Sequence, residues 1–171
     1  MDIQTRQLST RPAAVPASLA QWERLMRSAQ AAARMEQLVL SLATCWQALA
    51  VAQELVIDPP RGRANDCVAA LVVSHHNLAD MQLEAGGNDL AAEQLSQAHE
   101  ALMLLLAPAT GPHDPRHTEL QQAAWRHSRE THAGLMRYLA EHGQHPAIAR
   151  ALRVGCMTLL ATAPGGNTTR H

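Results

Sequence analysis

Six alanine- and leucine-rich segments of helical length, each cut from the next by proline, glycine or a short polar break, constrain this chain more than any other feature. Proline lacks a backbone donor and turns the preceding residue away from helix, while glycine reaches the left-handed conformation that ends one. The segments between such breaks must therefore pack as separate rods. Their apolar residues are almost all aliphatic: phenylalanine is absent, and Trp22, Trp46, Trp125 and Tyr138 are the aromatic residues besides histidine. Alanine and leucine lose little rotamer freedom in a helix, whereas strands favour branched and aromatic side chains, so an all-α fold is expected.

The punctuation also sets the boundaries. A first helix should open at Ser18, where Ser18-Leu19-Ala20-Gln21 has the capping-box form, and run to Arg34. A second covers Glu36 to Ile57 and stops at Asp58-Pro59-Pro60; a third runs from Asp66 to Ala85 and ends at Gly86-Gly87. The fourth starts at Asn88 or Asp89, either of which can cap it, and ends before Pro108. The fifth runs from Pro115, with Asp114 as its cap, to His142, where Gly143 closes it, and the sixth runs from Pro146 to Ala163. Residues 1–15 read as a flexible arm and 164–171 as a flexible tail, leaving 16–163 as one helical domain large enough for its own core.

Helices that close to about 8–10 Å need small residues at the crossing. In the middle pair, Asn77-Leu78-Ala79 is followed by Gly86, Ala91 and Ala98 at offsets of 7, 12 and 19 from Ala79, with Leu95 in a large apolar slot. This resembles the tetratricopeptide repeat, with its small residue in the first helix, glycine at the turn and two small residues in the second helix. Ala29, Ser41 and Ala48 repeat the offsets of 12 and 19, with Glu36 in the glycine place and Cys45 where an aromatic is usual. In the third pair Gly143 is kept, while Ile148 and Gly155 fall at the later small places, as in a degenerate or capping hairpin. His75 and Gln82 depart from the family at its tryptophan and tyrosine slots. Ala29 and Ala79 stand 50 residues apart, against a usual period of about 34, which makes the stretch around Pro59 an insertion.

The resemblance covers residues 20 to 105 and extends to uncharacterised bacterial tetratricopeptide-like proteins. It implies antiparallel hairpins stacked as a short right-handed superhelix of about six helices; an unrelated helical bundle remains the alternative. It also implies a concave groove formed by the first helix of each pair. With Ala79 packed, Val73, His76, Asn77, Asp80, Leu83 and Glu84 lie on or beside that groove and His75 turns inward. Asn77 matches a slot that in chaperone-binding members helps grip a peptide's terminal carboxylate, but Met26 and Gln30 stand where its partners would be. The function implied is that of an adaptor or chaperone-like module holding a protein or peptide segment.

Metal binding is the alternative function, because ten histidines and three cysteines could assemble a site. Against it, no CxxC occurs, and the four-apart pair His113 and His117 spans Asp114-Pro115 rather than one helical face. Cys45 and Cys156 fall on apolar helical stripes, where a thiol is inert, while Cys67 near a helix start could be activated by the helix dipole. Arg126 with Glu130 and Arg137 with Glu141 have the four-residue spacing of a solvated helix face. The methionines suit a core that lacks phenylalanine.

No catalytic set or phosphate-binding glycine loop occurs, so neither an enzyme nor a cofactor is expected. A net charge of -1 offers no phosphate-binding face, which argues against nucleic acid. Without a long unbroken apolar run or a signal-peptide pattern, the expectation is a cytoplasmic protein with no membrane contact, and a homodimer is compatible with it.

Overall fold

The computed structural model describes residues 16–107 and 115–162. The proposed arm and tail, and Asp114 as the fifth helix's cap, lie outside the described residues. Six helices follow in order: α1 Leu19–Arg34, α2 Leu38–Ile57, α3 Ala64–Glu84, α4 Asn88–Leu106, α5 Pro115–His142 and α6 Pro146–Thr162. The fold is an all-α helical stack with no strand among the described residues.

Ser18 caps α1 as expected, its Oγ accepting from the Gln21 amide at 3.2 Å. The reciprocal half of the capping box does not form, because Gln21 Oε1 is buried without a partner. At α4 the cap is Gly87, which offers no side chain; Asn88 and Asp89 already belong to the first turn. Asp89 still stabilises that end, as a carboxylate near the positive pole of the helix dipole.

One backbone device closes the first two hairpins. Glu36 and Gly86 hold left-handed φ values of 58° and 78°, and the amides of Gln37 and Gly87 reach back to the carbonyls of Ala32 and Gln82 at 2.9 and 2.7 Å. That is the Schellman arrangement, which satisfies carbonyls left over at a helix end. Gly143 repeats the left-handed residue at φ 80°, with the simpler bond from its own amide to the Leu139 carbonyl. Glu36 makes the turn without glycine, at a cost of about 1–2 kcal/mol.

Successive helices pack against one another from α1 through α5, and α3 also packs on α5. The last helix breaks the pattern: α6 lies mainly along α4 and makes little contact with α5. Small residues occupy the crossings, with Ala29, Ser41, Ala48, Ala79, Ala91 and Ala98 all buried. Ser41 Oγ donates to the Ala29 carbonyl at 2.9 Å, so the first crossing is hydrogen-bonded as well as close. Trp22 ties α1 to α3, its indole Nε1 donating to Ser74 Oγ at 2.9 Å. One apolar cluster joins α1, α2 and α3 around Ala48, Leu49 and Leu78, a second joins α3, α4 and α5 around Val72, Leu102 and Ala124, and a third joins α3 to α6 around Ala91, Leu135 and Ile148.

Methionine serves this core only in part, since Met26 and Met103 are buried while Met35, Met136 and Met157 are exposed. The helix α2 is long and apolar enough to cross a membrane by length and composition alone. Its buried face, including Ser41, Cys45, Ala48, Ala52 and Leu55, packs into the stack.

Candidate functional site

The six residues expected on a groove share one helix, α3, but meet different surroundings. Val73 is half-buried against the first core cluster and Leu83 against the third, whereas Asp80 and Glu84 are exposed. Asn77 is half-buried and makes no side-chain hydrogen bond among the described residues. His76 leans onto α5, where a Cβ built on Gly134 would lie 3.5 Å from its Cε1. Its Nε2 is buried without a partner, and burial lowers its pKa, opposed by the nearby charges of Glu130 and Asp80. His76 is thus wedged between helices rather than standing free in a groove.

His75 turns inward as expected, its Nδ1 2.9 Å from Gln94 Oε1 on α4. It also sits in a depression of about 500 Å³ between α2, α3 and α4, bordered by Ile57, Leu71, Leu104 and Leu105.

A more enclosed cleft opens where α5 and α6 part over α4. It holds about 530 Å³ and has His99 of α4 as its buried floor. Trp125, Ser128, Arg129, His132 and Ala133 line it from α5, and Leu152, Gly155, Cys156 and Leu159 from α6. Each set follows helical spacing, so one face of each helix forms one wall. Gly155 is what makes room for the imidazole: a Cβ there would stand 2.5 Å from His99 Nε2.

The tautomer of His99 follows from its neighbours. Thr131 Oγ1 donates to the Ser128 carbonyl at 3.1 Å, which uses its only proton, so across the 2.9 Å contact it accepts from His99 Nδ1–H. A neutral ring then presents Nε2 as an acceptor on the Gly155 side. Burial, with the His132 ring centroid 6.0 Å away, holds the His99 pKa down to about 4. Arg129 is exposed at the rim and has no ion-pair partner among the described residues.

The sequence pattern missed this cleft, because the stretch of α5 from Arg126 to Glu130 reads as a solvated face and the parting of α5 from α6 was not foreseen. The expected pairs on that face do not form: Glu130 meets His127 at 3.5 Å and Glu141 meets His142 at 3.9 Å instead of Arg126 and Arg137. Two cysteine expectations are also corrected. Cys156 is exposed rather than buried, since its side of α6 faces the cleft and has no helix against it. Cys67 is fully buried, and desolvation with the Asp66 charge raises its pKa, outweighing any help from the helix start. Cys45 is buried and raised as expected.

The helical stack thus places a buried neutral histidine under an open cleft, and no group of three His, Cys, Asp or Glu side chains converges among the described residues. The chain belongs to the DUF2753 family, described as a protein of unknown function, whose model matches residues 20–163. No curated protein and no solved structure matches it.

Proposed function

We propose that this chain is a tetratricopeptide-like interaction module, an adaptor or chaperone-like protein that holds a partner segment along the face formed by α1, α3 and α5. The observation that carries this reading is the repeated hairpin: buried small residues at Ala29, Ser41 and Ala48, again at Ala79, Ala91 and Ala98, with a left-handed residue at each turn. Stacks of that kind leave one helix of each pair lining an extended surface suited to a peptide. Val73 and Leu83 offer partly exposed apolar area, Asn77 an amide with unused hydrogen bonds, and Asp80 and Glu84 exposed carboxylates. This combination suits a segment in which basic residues alternate with apolar ones. His76 contributes by fixing α3 on α5 rather than by contact.

The test is comparative capture from the native cell with the wild-type chain and the double variant Asp80→Lys/Glu84→Lys. Both substitutions are on exposed positions, so helical circular dichroism should be unchanged. A partner recovered by the wild type and reduced at least about tenfold with the variant supports the reading. Equal recovery by both, or recovery no greater than on empty beads, removes it.

A metal-binding role lacks comparable support, because the histidines and cysteines are dispersed over several helices and none of them converge in threes among the described residues.

A further inference from the structure

We propose that the cleft between α4, α5 and α6 is a binding site for a small amphipathic organic anion, with its acidic head at Arg129 and His132 and its apolar body between Trp125, Leu152 and Leu159 over His99. The site is separate from the α3 face described above, and neither proposal depends on the other.

Three observations converge on this class of ligand. The lining is mostly apolar, and the cleft volume of about 530 Å³ admits a bicyclic aromatic or a medium acyl chain. The charge is one-sided: Arg129 is a cation, and no Asp or Glu is among the lining residues. A carboxylate or sulfonate therefore meets attraction at the rim and no carboxylate in the lining, and the planar guanidinium can grip two oxygens together.

The floor adds selectivity. His99 Nε2 carries a lone pair, so a hydroxyl or N–H at the far end of the ligand has an acceptor waiting. Its orientation is held by Nδ1–H donating to Thr131, which is anchored to the Ser128 carbonyl one turn back. Gly155 keeps the ring uncovered, since a side chain there would collide with Nε2 at 2.5 Å. The ligand class is thus defined at both ends, as an acid with an apolar body and a distal donor.

The experiment is isothermal titration calorimetry of the full chain at pH 7.5 with three probes of one shape: 6-hydroxy-2-naphthoate, 2-naphthoate and 2-naphthol. The hydroxy acid should bind tightest, and loss of the carboxylate in 2-naphthol should weaken binding about tenfold or more. Arg129→Ala, at an exposed position, should erase that difference by weakening the two acids and leaving 2-naphthol unchanged. The three-way ranking on the wild type is independent of any variant's folding. Equal affinity for acid and neutral probe, no effect of Arg129→Ala on the acids, or no binding of the hydroxy acid at millimolar concentration would each overturn the proposal.

Discussion

The first and last helix pairs share a left-handed residue at the turn and differ in what surrounds it. Between α1 and α2 the left-handed Glu36 is preceded, seven residues earlier, by Ala29, and the two helices close until Ser41 Oγ reaches the Ala29 carbonyl. Between α5 and α6 the left-handed Gly143 is preceded at the same distance by Met136, which is 48% exposed. An exposed thioether stands in the place of a buried methyl group, and α6 packs on α4 rather than on α5. A left-handed residue at the turn alone therefore does not make a close hairpin; the first pair also has small buried residues where its helices cross. The cleft over His99 opens where α6 rests on α4 and parts from α5.

The two ends also differ in titratable chemistry. All ten histidines follow residue 74, so α1 and α2 contain none, while His75, His76 and His99 are built into the packing of α3, α4 and α5. The largest predicted effect exploits this. A buried histidine whose folded pKa lies below the ordinary value of about 6.5 takes up its proton in the unfolded chain first. Its contribution is intact above that pH and is lost as pH falls toward the folded value, which for His99 is about 4. The loss from His99 alone approaches about 3 kcal/mol across that window, and His75 and His76 shift in the same direction. Urea midpoints measured from pH 7.5 to 4.5 should fall, with amide protection factors, corrected for the intrinsic pH dependence of exchange, falling first in α3 to α5. A flat profile would show that these imidazoles are free to protonate in the folded chain.

The crossing rule predicts the next effect. Ala79→Leu, at a fully buried contact, should cost about 1–3 kcal/mol by overpacking, whereas Met136→Leu should stay within about 0.5 kcal/mol. Equal losses in denaturant melts would mean that both crossings are close-packed and the contrast is false.

The smallest effect concerns the left-handed residue itself. Glu36→Gly relieves the side-chain strain at φ 58° but adds freedom to the unfolded chain, so a net gain of about 0.5–1 kcal/mol is expected. The same change of residue type is impossible at Gly86 and Gly143, which instead should lose stability on substitution by alanine. Thermal melts showing no gain for Glu36→Gly would indicate that the glutamate side chain compensates its own backbone.

The helices and the small-residue contacts were legible because proline, glycine and alanine act locally: Pro115, Pro146, Gly86 and Gly143 mark ends that the structure keeps. Ser18 was legible as a cap for the same reason, and its half-made box shows the limit, since whether Gln21 bends back depends on what packs over it. The cleft was not legible. It requires knowing that α6 sides with α4, and no local pattern records which of two possible neighbours a helix will choose. Arg129 and His132 then look like any polar residues on an exposed face until Leu152 and Leu159 are placed opposite them.

The attachment of α6 has one more consequence. The helix rests mainly on one neighbour, whereas α3 and α4 are each enclosed on several sides. Fewer interfaces therefore hold α6 than hold α3 or α4, and its seam with α4 carries most of its attachment. Arg150, paired with both Glu93 and Glu100 on α4 at 3.2 and 2.8 Å, is the exposed clasp across that hinge-like seam.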